Sequence, residues 1–125
     1  MEFTSHKTIY LQISDYVCEK ALTNEWKAGE RIPSVRELGV LLEVNPNTVM
    51  RAFEYLESKG IIYNKRGIGF FLACNAAEKV QNLHKAQFIE EDLPALFKKI
   101  YLLQIPFDEL AKEYKAYCKA HFSNH

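Results

Sequence analysis

Asn47 and Arg51 stand one helical turn apart, and both side chain types can read the edges of nucleic-acid bases. Asn pairs bidentately with adenine and Arg with guanine, each worth about 1–3 kcal/mol of discrimination. Further along, Lys65-Arg66-Gly67 is a basic tripeptide between two apolar, strand-like runs. It suits phosphate neutralisation or entry into a narrow minor groove. Other chemistry is thin. Cys118 and His121, with His125 beyond, have a spacing that could touch a metal, but they fall short of the closed set a structural zinc needs. No metal and no other cofactor is expected. His84 lies on an apolar stripe and reads as a packed interface histidine. No glycine-rich phosphate loop follows a strand, and no nucleophile has a base beside it. Tyr101, Tyr114 and Tyr117 could line a small-molecule pocket, although aromatics at helical spacing more often build a core.

The elements that must position Asn47, Arg51 and the basic tip are marked by changes of hydrophobic period. Val35, Leu38, Leu41 and Leu42 recur at helical spacing, and so do Val49, Ala52, Phe53 and Leu56. Ser34 is placed as N-cap of the first of these helices after Pro33, with Glu37 completing a Ser-x-x-Glu capping box. Asn45 can cap the second, with Pro46 at its first position, where no N–H is missed. Gly60 suits the left-handed end of that helix. The period then falls to two: Ile62, then Ile68, Phe70 and Leu72 across the Lys65-Arg66-Gly67 tip, a hairpin with Gly67 and Gly69 at its turn. Upstream, a helix is expected from about Thr8 to Glu25, with Ile9, Ile13, Val17 and Ala21 on its inner stripe. Arg31-Ile32 is a candidate short strand pairing with the hairpin. Residues 1–7 read as a polar, frayed lead.

Five phased blocks carry a family resemblance. Ile9-Tyr10-x-Gln12-Ile13, Gly29-x-x-Ile32-Pro33-Ser34-x-Arg36-Glu37-Leu38, Val44-x-x-x-Thr48-Val49, Ala52-x-x-x-Leu56-x-x-x-Gly60 and Arg66-Gly67-x-Gly69 resemble the GntR family of bacterial transcription regulators, over residues 8–72. The short remainder resembles the YtrA-like subgroup, whose second domain is a pair of helices. The resemblance implies a homodimeric repressor or activator, with a repressor the expectation, on a two-fold symmetric double-stranded DNA operator. The implied fold is mainly α with a small β-hairpin: a winged helix-turn-helix domain over residues 1–75, then a short C-terminal helical dimerisation region over 76–125.

DNA contacts are expected from Ser34, Arg36, Asn45, Asn47, Thr48, Met50, Arg51, Lys65, Arg66 and Gly67. Asn47 and Arg51 lie opposite the stripe of Val49, Ala52, Phe53 and Leu56, near the end that enters the major groove, with Met50 beside them. The plainer reading leaves them as solvated surface residues. Ser34, Arg36 and Thr48 are placed for phosphate. For Ser34 a cap alone would suffice, and for Arg36 an ordinary carboxylate pair. The wing tip reaches the minor groove in this family, with Tyr63 and Asn64 as neighbours. The chain also departs from the family pattern. Ser-Arg usually follows the Val of the turn, and another Arg often lies two residues beyond the Thr. Asn45-Pro46 and Met50 stand there instead, so the base-contact pattern does not carry over whole.

Composition bounds these expectations. The 125 residues fit one domain with an appendage, and 48% hydrophobic residues suffice for a core. Sixteen basic side chains balance sixteen acidic ones, so a strongly DNA-coating protein is excluded; yet from Ser58 to Leu72 the charges are Lys59, Lys65 and Arg66, all positive. With no long apolar run and no basic-then-apolar leader, a soluble, cytoplasmic chain without membrane contact is expected. Three scattered cysteines, Cys18, Cys74 and Cys118, read as reduced thiols. In the C-terminal region Val80, Leu83, His84 and Phe88 share a helical face, and Leu93-Pro94 signals a break or kink. Leu96, Phe97, Ile100, Tyr101 and Leu103, then Phe107, Leu110, Tyr114, Tyr117 and Cys118, form apolar stripes that should bury against a partner chain. A small-molecule effector is left open. Two other classes compete with this reading. A winged-helix protein-interaction module would favour an apolar recognition face, and an enzyme fused as in some GntR relatives is not expected in a chain of this length.

Overall fold

The computed structural model describes residues 7–122. The polar lead thus lies outside the described residues, apart from Lys7, and so does His125. Helix α1 runs Ile9–Leu22, α2 Val35–Leu42 and α3 Pro46–Ser58; strands β1 Ile62–Lys65 and β2 Gly69–Leu72 follow; then come α4 Ala76–Gln87, α5 Leu93–Leu102 and α6 Phe107–His121. The expected order of helix, helix-turn-helix and hairpin is the order observed. The chain forms two compact units, Met1–His84 and Lys85–His125. Most of α4, through His84, goes with the first unit because Ala76 and Val80 are buried in its core.

That core is built by stripes from each element. Ile13, Val17, Cys18 and Ala21 come from α1, Leu38 and Leu42 from α2, and Val49, Ala52, Phe53 and Leu56 from α3. Ile61, Ile62 and Leu72 close it from the hairpin side, and Phe53 meets Phe70 edge-on at 4.9 Å. Burial pushes the Cys18 thiol up to about 12, the carboxylate of Asp15 adding to the effect. It packs as a small apolar group.

Local signals explain the junctions. The Ser34 hydroxyl accepts from Glu37 N at 3.1 Å, and Ser34 N donates to Glu37 Oε1 at 2.9 Å, the full capping box. The Ser34 backbone N–H first, then the Ser34 hydroxyl, with Arg31 nearby, hold the Glu37 carboxyl below the usual carboxylate range. Asn45 Oδ1 accepts from Asn47 N at 2.8 Å and Pro46 opens α3. Between α2 and α3 the chain turns through Glu43 in the left-handed region (φ 56°). Gly39 permits the tight approach: a Cβ there would lie 3.1 Å from the Val44 carbonyl oxygen and 3.6 Å from Pro46 Cγ.

The wing is antiparallel, with Ile62 opposite Leu72 and Lys65 opposite Gly69. The expected third pairing exists: Gly29 N donates to Leu72 O at 2.9 Å, Leu72 N to Glu30 O at 3.0 Å and Ile32 N to Phe70 O at 2.9 Å. Arg31 bridges Phe71 across that edge.

Five expectations change. Helix α1 stops at Leu22 rather than near Glu25: the Thr23 hydroxyl donates to Glu19 O, Asn24 turns left-handed, and Trp26 packs edge-on against Tyr16. Ile9, in the first turn, is exposed rather than inward. Leu41 is exposed as well, since an eight-residue helix buries only the Leu38–Leu42 ridge, and Ile68 projects from the wing turn rather than from a strand. Leu93-Pro94 does not break the chain. A π-helical turn, Phe88–Asp92, precedes α5, and its wider loop absorbs the proline's missing N–H and its clash with the preceding turn.

In the second unit α5 and α6 are joined by a turn through Gln104 in the left-handed region, with Ile105 N donating to Ile100 O at 3.1 Å. Neither helix contains a buried residue. A groove of about 460 Å³ runs between them, lined almost wholly by apolar side chains, among them Leu96, Phe97, Ile100 and Tyr114. No helix among the described residues is long and apolar enough to cross a membrane.

Candidate nucleic-acid interface

Helix α3 presents two faces because its core stripe recurs every three to four residues. With Val49, Ala52, Phe53 and Leu56 buried, Asn47, Met50 and Arg51 are left exposed and Thr48 half-buried. Arg51 makes no hydrogen bond or ion pair among the described residues; its Cζ lies over the Tyr10 ring, 4.3 Å from the centroid. Asn47, Thr48 and Arg51 share a cleft of about 490 Å³ with Thr8, Ile9 and Tyr10 from the start of α1. Asn45 is exposed; its side-chain oxygen accepts the cap hydrogen bond, and its amide N–H groups can serve a ligand as donors.

A second group gathers at the start of α2 and the wing. Ser34 is half-buried in its capping box, and Arg36 is exposed with no carboxylate paired to it among the described residues. Lys65, Arg66 and Gly67 are exposed at the wing tip, where Gly67 adopts φ 79°. Lys65 Nζ lies 4.4 Å over the Phe71 ring, and Phe71 stacks on Tyr63 at 5.7 Å. The strand pair thus carries an aromatic face that supports a cation, while Arg66 stays free of such a contact.

Two residues of this surface escaped the sequence reading. Arg31 lies along the wing, its Nε only 2.8 Å from where a Cβ on Gly69 would sit, and it also acts on Glu37. It adds a positive charge beside Lys65 and Arg66. The signal was present: once Ile32 is inward in a short strand, alternation turns Arg31 outward. Tyr10 is the other, and nothing in the spacing of α1 tells that its ring meets Arg51. In the last helix the Cys118 side chain, near Tyr114, raises the tyrosine's pKa. Among the described residues no three His, Cys, Asp or Glu side chains gather as a metal site.

A helix-turn-helix with a hairpin wing, its exposed helix polar and its tip basic, matches one family along its length: the bacterial regulatory proteins of the gntR family, over residues 9–72. The chain belongs to the GntR family. It is similar to the HTH-type transcriptional regulator YhcF of Bacillus subtilis (strain 168), 35% identical over 93% of this chain and 94% of YhcF. It is similar also to the HTH-type transcriptional repressor YtrA of the same organism, 35% identical over 85% of this chain and 81% of YtrA. A crystal structure of a GntR-family transcriptional regulator from Bacteroides thetaiotaomicron superposes with a TM-score of 0.82 at 44% identity, covering 90% of this chain and 98% of that one. This GntR-family chain is a DNA-binding transcription regulator with a winged-helix fold, and the proteins it resembles are regulators rather than enzymes.

Proposed function

We propose that this regulator is a homodimeric repressor that binds a two-fold symmetric operator. In this reading α3 enters the major groove, where Asn47 and Arg51 meet base edges with Met50 beside them. Ser34, Arg36, Asn45 and Thr48 hold the phosphate backbone, and Lys65, Arg66 and Gly67 reach the adjoining minor groove. The observation that carries the reading is Arg51: exposed on the outer face of the second helix, with every guanidinium donor unpaired among the described residues. The repressor role is supported by the likeness to a protein named as a repressor. Dimerisation through the C-terminal helices is supported by their apolar groove and their lack of any buried residue. Cytoplasmic residence follows from action on DNA.

Selection of bound duplexes from a random pool tests the proposal. The expected result is an inverted repeat with half-sites about one helical turn apart or a multiple of it. A single unpaired half-site would remove the dimer, and an unenriched pool would remove the operator. The alternative, a winged helix that docks on protein, draws on the exposed Val40 and Leu41 of α2, and an unenriched pool would favour it.

A further inference from the structure

Arg51, Tyr55 and Lys59 follow one another at four-residue spacing, so they share a face of α3 and its end. That face runs beside the first turn of α1, where Tyr10 is half-buried. The Tyr10 ring packs edge-on against Tyr55, with centroids 6.2 Å apart and planes at 73°. Lys59 Nζ lies 5.6 Å over the Tyr55 ring, and Arg51 Cζ lies 4.3 Å over the Tyr10 ring. Two aromatic rings therefore stand between two cations, and the ring nearer the recognition face is braced by the other.

We infer that Tyr10 is a positioning residue for sequence readout: its ring, braced by Tyr55, holds the Arg51 guanidinium in the attitude that meets a base. The inference rests on the reading of Arg51 as a base-contacting residue. A guanidinium is planar and carries its five N–H groups in that plane. Stacking on a ring uses the face of the group and leaves the edge free, and the edge is what guanine O6 and N7 accept from. A long, flexible side chain held this way loses less rotamer freedom when it binds. Asn47 and Thr48 border the same cleft, so the held guanidinium stays beside the other polar groups of the recognition face.

An exposed cation–π contact multiplies the held population by about two- to five-fold. The test uses the full chain and the operator recovered by selection. Arg51→Ala first identifies the base pair that Arg51 reads. Tyr10→Leu, which keeps apolar bulk and removes the π face, is expected to lower discrimination at that same base pair about two- to five-fold. Tyr10→Phe is expected to restore it, and Tyr10→Leu in the Arg51→Ala background to cost nothing further. A purely structural role would instead weaken binding to every sequence alike. Because Tyr10→Leu could disturb α1, the contact is also read in the wild-type protein by NMR: the Arg51 side-chain protons should show an upfield ring-current shift. Full discrimination in a folded Tyr10→Leu, additive losses with Arg51→Ala, a uniform loss across sequences, or no ring-current shift would each overturn the inference. If Arg51→Ala leaves the selected motif intact, the base-reading role of Arg51 falls and the inference with it. If Arg51→Ala relaxes the motif and Tyr10→Leu does not, only the role of Tyr10 falls.

Discussion

Replacing Phe97 by Asp is expected to dissociate the proposed dimer into monomers at micromolar concentration. Leu96, Phe97, Phe107 and Tyr114 border the groove between α5 and α6 and remain 43%, 51%, 69% and 69% exposed. Fully burying an apolar side chain of this size contributes about 1.5–3 kcal/mol, so covering the open half of Phe97 contributes ~1 kcal/mol. The substitution removes that contribution and places a carboxylate in apolar surroundings, at about 3 kcal/mol or more. In a symmetric dimer it acts once on each chain, for a total near ~8 kcal/mol. A micromolar dimer corresponds to about 8 kcal/mol of association free energy, so the substitution cancels it. Within one chain the cost is small, because Phe97 is already half exposed there. Sedimentation equilibrium from about 1 to 50 μM reads the mass, with circular dichroism confirming that helix content is kept. A wild-type chain that is monomeric across this range, or a Phe97→Asp variant that remains a dimer, would refute the reasoning.

Arg51→Ala should relax preference at a G·C pair in each half-site by about 1–3 kcal/mol, and Asn47→Ala at a neighbouring position, as read by binding-site selection. An unaltered motif would move specificity to DNA shape or the wing. Arg66→Ala should weaken binding to all sequences alike and reduce the salt slope by about 1, with Arg31→Ala behaving the same way if its place along the wing is used; titrations at several salt concentrations decide this. Ser34→Ala should lower stability by about 1 kcal/mol through the lost cap, seen as a shifted denaturant midpoint. Glu37 has a lowered pKa in the folded state, so its stabilisation is present above the ordinary carboxylate range and is lost as pH falls through the folded value. The midpoint difference between wild type and Glu37→Gln should therefore vanish at acid pH. Cys18, raised to about 12, should resist thiol reagents at pH 8 while the exposed Cys74 reacts, and equal labelling of both in the folded protein would contradict its burial.

Features that depend on a few consecutive residues were legible in the chain. The capping box of Ser34 and Glu37, the Asn45-Pro46 start of α3 and the glycine turn of the wing are each set by short-range sterics and hydrogen bonds. Apolar periodicity likewise assigned Val49, Ala52, Phe53 and Leu56 to the core, and so left Asn47 and Arg51 outside. Where helices are short, periodicity overreached: Leu41 and Ile9 sit near helix ends, and burial there depends on whether a neighbouring element reaches them. Proline signalled a break or kink at Leu93-Pro94, and a π-helical turn took up that steric conflict.

What lay beyond the sequence were contacts between segments far apart in it. Tyr10 and Arg51 are separated by the whole of α2 and its turns, and only the packing of α1 against α3 brings the ring under the guanidinium. Arg31 gained its place along Gly69 through strand pairing, and most of α4 joined the DNA-binding unit because Ala76 and Val80 complete its core. A residue's type and its near neighbours prescribe backbone conformation through local energies of a few kcal/mol. Which side chains meet across the fold is decided by how all the apolar faces close together, a collective outcome that no single segment encodes.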